Sequence, residues 1–273
     1  TKGAKVIAMD SRSELTLSLD IPLFLGEFNA SKLIKADLIV LSPGVDLNTP
    51  AIQKAIKSDV HVIGDIELFA QFNQCPVIAI TGSNGKSTVT HLVVDMCKAA
   101  GKEVLMGGNV GVPVLDLLEQ SADVIVLELS SFQLETTFSL MPLVATVLNI
   151  TEDHLDRHGD LTTYNQIKLK VYQYCQFMVF NRDDILSYPE NSKATMSYGL
   201  SESSLGFSWD NANAYILLDG KPFLDSKSCL LVGAHNMLNI QAAAALAKAF
   251  GIDDHSIRQG AQKFGGLPHR CQT

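Results

Sequence analysis

An α/β fold built on a mostly parallel sheet is the architecture this sequence predicts. Three observations carry it: short runs rich in β-branched and apolar residues, helical segments between them, and one glycine loop set between such a run and a helix. In chain order the runs are residues 5–10 (KVIAMD), 37–42 (DLIVLS), 60–65 (VHVIGD), 76–81 (PVIAIT), 123–130 (DVIVLELS), 144–150 (VATVLNI) and 176–181 (QFMVFN). They read as strands buried on both faces, as in parallel sheets. Helical patterns over 49–58, 86–100, 163–174 and 235–250 supply the crossovers.

The order of these segments predicts two domains, 1–64 and 65–273. The strands through VHVIGD form a small sheet of their own. The segment from Asp65 to Gln74 leads into a second sheet that opens at Pro76. Residues 187–228, richer in Ser, Asn, Asp and Gly, contain the strand candidates ATMSYG and AYILLD and predict a small antiparallel appendage. The chain starts as if at the second strand of a nucleotide-binding unit and stops soon after GGLPHRCQT, so a fragment is expected.

Composition removes several function classes. With 29 acidic against 21 basic residues the net charge is -8, which lacks the electrostatic source of a nonspecific grip on nucleic acid. No run approaches the roughly 20 apolar residues needed to cross a bilayer, and nothing near Thr1 directs export. Five scattered cysteines without a CxxC pair fit reduced thiols. A cytoplasmic, monomeric protein that binds neither nucleic acid nor membrane is expected.

The loop Gly82-Ser83-Asn84-Gly85-Lys86-Ser87-Thr88 follows the strand PVIAIT and opens a helix. Glycines let backbone N–H groups wrap phosphate oxygens, the helix N-terminus adds a positive dipole end, and Lys86 adds a mobile charge. Ser87 can hold Mg²⁺ through its hydroxyl, and ATP or a related nucleotide is the natural ligand. Ile80 stands where GxxxxGK[ST] has its first glycine, so the shorter TGSNGKS form carries the argument.

Other polar positions stay open on residues alone. Glu128, ending an apolar strand beside Ser130 and Ser131, either reaches solvent or meets the metal held by Ser87. Asn149, Glu152, Asp153, His154, Asp156, Arg157 and His158 cluster after another strand, where clustering favours metal or phosphate chemistry over a structural histidine. Tyr164, Ile167, Val171 and Tyr174 form an apolar stripe with Lys168 at its border, where a lysine ordinarily snorkels to water. Asn236 and Asn239 either cap a helix or face a ligand, and Arg270 is either a phosphate ligand or exposed.

Taken in order, TGSNGKST, GGNVG, ELSSFQLE, NITEDHLDRHG, YNQIK, GAHNMLN and GLPHR resemble the Mur ligases, ATP-dependent amide-bond ligases of peptidoglycan synthesis. With DSR at Asp10 and SPG at Ser42, the resemblance spans nearly the whole chain and looks most like the D-glutamate-adding branch. It implies a partial Rossmann-like N-terminal domain for the UDP substrate, a phosphate-loop central ATPase domain, and a C-terminal domain absent here. Lys86 would contact ATP phosphates, Ser87 and Glu128 one Mg²⁺, and His154 a second. Lys168 matches the family's carbamylated lysine, which overturns its bland reading. Asn109, Ser130 and Gln133 would approach the muramoyl-alanine end of UDP-N-acetylmuramoyl-L-alanine, and Asp10, Ser11, Arg12 and Gly44 its uridine and diphosphate. Asn236, Asn239 and Arg270 would face ATP.

The incoming D-glutamate would bind the absent domain, so the fragment alone is expected to bind nucleotide weakly and to make no amide bond. The alternatives are a sibling ligase, a folylpolyglutamate synthetase-like ligase, which lacks a separate UDP domain, a noncatalytic nucleotide or UDP-sugar module, and a small-molecule kinase.

Overall fold

The computed structural model describes residues 3–16, 20–189 and 195–267, so Arg270 lies outside the described residues. The chain divides into two compact units, Thr1–Ile63 and Gly64–Thr273.

In the first unit β1 (Ala8–Asp10) pairs in parallel with β2 (Leu23–Leu25). Then follow α1 (Ala30–Leu33), β3 (Leu38–Leu41), α2 (Pro50–Ile56) and β4 (His61–Gly64), with β3 and β4 forming a second two-stranded sheet. The helix ends follow local rules. Asn29 caps α1 by accepting from Lys32 N at 3.2 Å, and Pro50 starts α2, where its missing N–H costs nothing. The single small sheet expected here is thus two separate pairs among the described residues. β1 finds its partner in LFL at 23–25, a run too short to be read as a strand, and among the described residues β3 pairs only with β4. Leu33, Ile39, Leu41, Ile52 and Ala55 form the core of this unit.

The second unit continues with α3 (Asp65–Phe72), β5 (Val77–Thr81), α4 (Lys86–Ala99), β6 (Val104–Gly108), β7 (Val124–Glu128), α5 (Ser131–Glu135) and β8 (Val144–Val147). After these come α6 (Leu155–His158), α7 (Leu161–Leu169), β9 (Phe177–Asn181), β10 (Thr195–Tyr198), β11 (Phe207–Asp210), β12 (Tyr215–Leu218), β13 (Lys221–Asp225), α8 (Ala234–Phe250) and α9 (Asp254–Lys263). Among the described residues one sheet runs in the order β13-β12-β11-β10-β9-β8-β5-β7-β6. From β6 to β10 all neighbours are parallel. The appendage extends this sheet: β10, the ATMSYG segment, joins β9 in parallel, and antiparallel pairing begins only between β11 and β12 and continues to β13.

Alternate residues of the central strands feed two cores. Ile78, Ile80, Val124 and Val126 face the layer containing α4 and α8, while Val77, Ala79, Ile125 and Leu127 face the layer containing α3 and Tyr164. Burial on both faces explains why these strands are apolar up to their carboxyl ends. Gly260 of α9 lets that helix press on α4, because a Cβ there would lie 2.7 Å from Met96 Cα.

The chain leaves β5 toward β6 and β7 on one side and later continues through β8 on the other. The carboxyl end of β5 is therefore a topological switch point, where open α/β sheets collect ligands. No helix among the described residues is long and apolar enough to cross a membrane.

Candidate active site

The site begins where β5 ends. Gly82 and Gly85 take φ of 147° and 85°, which side chains rarely allow. A Cβ on Gly82 would lie 2.9 Å from Leu148 Cβ, and one on Gly85 2.6 Å from Asn239 Oδ1. The segment after β8 pins the loop. Ser83 N donates to Asn149 O at 2.9 Å, Asn84 N donates to Asn149 Oδ1 at 2.8 Å, and Asn149 Nδ2 donates to Asn84 O at 3.0 Å. Ser83 Oγ accepts from Thr151 N at 3.0 Å and lies 3.1 Å from the Tyr164 hydroxyl.

Lys86 opens α4 and folds back over the loop, its Nζ donating to Gly82 O at 2.9 Å and Ser83 O at 3.0 Å. Ser87 follows in the first turn, where unsatisfied amides and the helix dipole favour an anion.

Glu128 closes β7 in register with Ile80 of the neighbouring strand, which sets its carboxylate at the same sheet edge as the loop. It is buried. Asn109 Nδ2 donates to Oε1 at 2.8 Å, and Asn109 N donates to the Glu128 carbonyl at 2.8 Å. The other carboxylate oxygen, Oε2, is buried and has no hydrogen-bond partner. A bare acceptor in the interior is costly, and a cation or donor would relieve it.

Lys168 on α7 is only 1% exposed and does not snorkel. Its Nζ donates to Gly82 O at 2.9 Å and Thr81 Oγ1 at 3.3 Å, and lies 4.8 Å from the centre of the Tyr164 ring. Burial, reinforced by the charge of Lys86, pulls its pKa down to about 7 against the opposing pull of Asp153 and Glu128.

His154 stands apart from this pair in the described contacts. It takes a left-handed conformation (φ 53°) at the start of α6, is half exposed, lies 3.5 Å from Asp153 Oδ2 and packs on Phe132 at 4.8 Å between ring centres. Among the described residues no group of three or more His, Cys, Asp or Glu is gathered as a metal cage.

Ser130 and Gln133 form a capping box on α5. Ser130 N donates to Gln133 Oε1 at 3.1 Å, and Gln133 N donates to Ser130 Oγ at 3.2 Å. Asn236 and Asn239, in the first two turns of α8, are linked by a 3.3 Å hydrogen bond. With Asn84, Gly85 and Thr88 they line a cleft of about 450 Å³ that Tyr198 and His235 also face.

In the first unit Arg12 donates to Asp10 through N (2.9 Å), Nε (2.8 Å) and Nη2 (2.7 Å). These bonds hold the Asp10 carboxyl down at about 2. Ser11 is exposed beside them, and a Cβ on Gly44 would meet open space.

Three contacts at this edge were not legible as functional. Thr81 and Tyr164 looked like strand end and core stripe, yet their hydroxyls reach Lys168 and Ser83. Asn149, read only as part of a polar cluster, is the main clamp on the loop. Periodicity reports a side chain's apolar body and is silent on where its polar tip reaches.

A glycine loop at the switch point of a parallel sheet, with a lysine folded over it, has the geometry of a phosphate loop in an α/β domain. Residues 80–247 match the Mur ligase middle domain, and residues 1–64 match the Mur ligase MurD-like, N-terminal domain. The chain belongs to the Mur ligase family. It is 47% identical over 279 aligned residues to the UDP-N-acetylmuramoylalanine--D-glutamate ligase of Haemophilus influenzae, covering 100% of this chain and 64% of that protein. The ligase of the same name from Pasteurella multocida is 46% identical, with 99% and 63% covered. The chain thus spans about 64% of the length of the curated relatives it matches.

Solved structures agree on the fold. The UDP-N-acetylmuramate:L-alanyl-gamma-D-glutamyl-meso-diaminopimelate ligase of Neisseria meningitides superposes with a TM-score of 0.70 at 19% identity, covering 98% of this chain and 93% of that one. The UDP-N-acetylmuramate-alanine ligase of Thermotoga maritima gives 0.57 at 22% identity, with 90% and 59% covered.

Proposed function

We propose that this chain is the UDP-substrate and ATP-binding part of a cytoplasmic ligase that joins D-glutamate to UDP-N-acetylmuramoyl-L-alanine, releasing ADP and phosphate. The observation that carries the reading is the convergence at one sheet edge of Lys86, the partnerless Oε2 of Glu128 and the buried amine of Lys168. The identity to relatives of that name supports the choice of substrates.

The residues fit a divalent cation. Mg²⁺ is commonly held by one or two carboxylates together with substrate phosphates, so a protein-only cage is not required. Glu128 Oε2 and the Ser87 hydroxyl would hold one ion, and His154 with a carbamylated Lys168 a second. Bound there, Mg²⁺ would neutralise charge on the transferring phosphoryl group. A pKa near 7 supplies the neutral amine that captures CO₂, giving a carbamate and a proton. The carbamate nitrogen keeps one hydrogen, enough to preserve the bond to Gly82 O, while its new carboxylate suits a hard cation.

In the proposed reaction the alanyl carboxylate attacks the γ-phosphorus of ATP and ADP leaves. The amine of D-glutamate then attacks the acyl carbon and phosphate leaves. Lys86 follows the developing phosphoryl charge, while the clamp of Asn149 and Thr151 on Ser83 and Asn84 fixes the loop and leaves the amides of the first turn of α4 to orient the phosphates. Asn109 holds Glu128 in place. Asn236 and Asn239 face the nucleotide in the cleft, and Asp10, Ser11, Arg12 and Gly44 receive the uridine diphosphate.

The test is acceptor choice in a full-length ligase carrying these residues. With ATP and UDP-N-acetylmuramoyl-L-alanine, phosphate release should require D-glutamate. Turnover only with L-lysine or meso-diaminopimelate would move the chain to a sibling activity.

A further inference from the structure

The helix α5 spans only Ser131–Glu135, too short to persist on its own hydrogen bonds. Side chains from other elements hold it. Lys170 Nζ donates to the carbonyls of Leu134 (3.3 Å) and Glu135 (3.0 Å) at its C-terminal end. Arg157 Nη2 donates to Glu135 Oε2 at 2.7 Å. At the N-terminal end His158 Nε2 lies 3.0 Å from Ser131 Oγ, both residues being buried.

Among these anchors His158 is the one whose described contacts also lead to the phosphate loop. One face of its ring stacks on Phe132, 5.4 Å between centres and 26° between planes. It also meets the Tyr164 ring at 5.6 Å, and the Tyr164 hydroxyl lies 3.1 Å from Ser83 Oγ. A continuous series of contacts therefore joins Ser83, Tyr164, His158 and Ser131. The other ring nitrogen of His158, Nδ1, is buried without a partner, so Ser131 is the polar group that fixes the ring's rotation. Burial lowers the pKa of His158 and favours the neutral ring, so this link does not depend on charge.

We infer that His158 is a positioning residue: through Ser131 it sets the N-terminal turn of α5, with Ser130 and Gln133, at a fixed place relative to the phosphate loop. This rests on the function proposed above, in which that turn receives the acyl end of the muramoyl substrate. Its role is then to present the alanyl carboxylate to the γ-phosphorus, a step sensitive to displacements of an ångström. It is distinct from the nucleotide contacts, which come from the loop and from α8.

His158→Phe keeps the aromatic stack and deletes both nitrogens, Ser131→Ala deletes only the hydroxyl, and the double variant closes the cycle. Steady-state kinetics in a full-length ligase carrying these residues should give a drop of about tenfold in kcat/KM for UDP-N-acetylmuramoyl-L-alanine in each single variant. The KM for ATP should stay within about twofold, and the double variant should be no worse than either single one. Should His158→Phe fail to fold, Ser131→Ala alone must still give the selective loss. Equal changes for both substrates, multiplying effects in the double variant, or a lowered melting temperature with unaltered kinetics would overturn the inference and leave the proposed function standing. A wild-type enzyme that turns over no muramoyl substrate removes the proposed function, and the positioning role with it.

Discussion

The two units treat the side chains proposed for function in opposite ways. In the larger one, Glu128 and Lys168 are buried and tied to neighbouring side chains or backbone, and burial alters what the lysine can do chemically. In the smaller one, Arg12 is exposed and Asp10 only partly covered, and the two hold chiefly each other. A charge pair in water is stabilised little by its partner, whereas a buried amine whose pKa has fallen to about 7 is a different reagent from a surface lysine. The edge that carries the glycine loop is therefore preorganised, whereas the Asp10–Arg12 pair is held mainly by its own ion pair.

The sharpest way to break this contrast is Lys168→Ala. If the amine is a reagent, turnover falls by about 10²–10³-fold, the scale of losing one preorganised charge-stabilising group, and short-chain carboxylates restore part of it. Phosphate release with and without added acetate measures both. Unchanged turnover would reduce Lys168 to a packing residue and remove the carbamate.

The next effect is on stability and has a defined sign. The folded pKa of Lys168, about 7, lies below its ordinary 10.5, so folding disfavours the ammonium. Below about pH 7 the amine is protonated folded and unfolded, and the full cost of burying the charge is present. That cost fades as pH rises from about 7 toward 10.5. Lys168→Met should accordingly stabilise the protein by roughly 1–4 kcal/mol at pH 6, as expected when a buried charged group gives way to an apolar one, and by progressively less above pH 8. Thermal melts in CO₂-free buffer at several pH values would show it, and a difference independent of pH would mean that the amine is better solvated than its surroundings indicate.

The same contrast explains what the sequence could convey. β5, β7 and β8 were legible because strands buried on both faces are dominated by apolar, β-branched residues, and the loop because Gly82 and Gly85 stand between a strand and a helix. β6 escaped because Gly107 and Gly108 dilute its apolar run, and α9 because a polar segment, DHSIRQGAQK, packs mainly through Ile257, Gly260 and Ala261. Lys168 sits at the border of a helical stripe, a position that ordinarily faces water. Its burial follows from packing of α7 over the sheet edge, which no local pattern encodes, and only the likeness of YNQIK to the family singled it out. The link from His158 to Ser131 joins residues 27 positions apart and depends on how two short helices meet.

The smallest effect belongs to the exposed pair. Arg12 holds the Asp10 carboxyl at about 2, below its ordinary 3.8, so what the pair contributes is present above pH 3.8 and lost as pH falls through about 2. Across pH 5 to 9 Asp10→Asn should therefore differ from the wild type by a constant offset. Because Arg12 is exposed and Asp10 only partly covered, melting of the protein should scarcely move, while KM for the UDP substrate should rise only a few-fold with kcat unaltered. Titrating the UDP substrate in both proteins decides it. A loss as large as that of Lys168→Ala would mean that ligand binding buries this pair and makes it as preorganised as the phosphate loop, which would end the distinction between the two units.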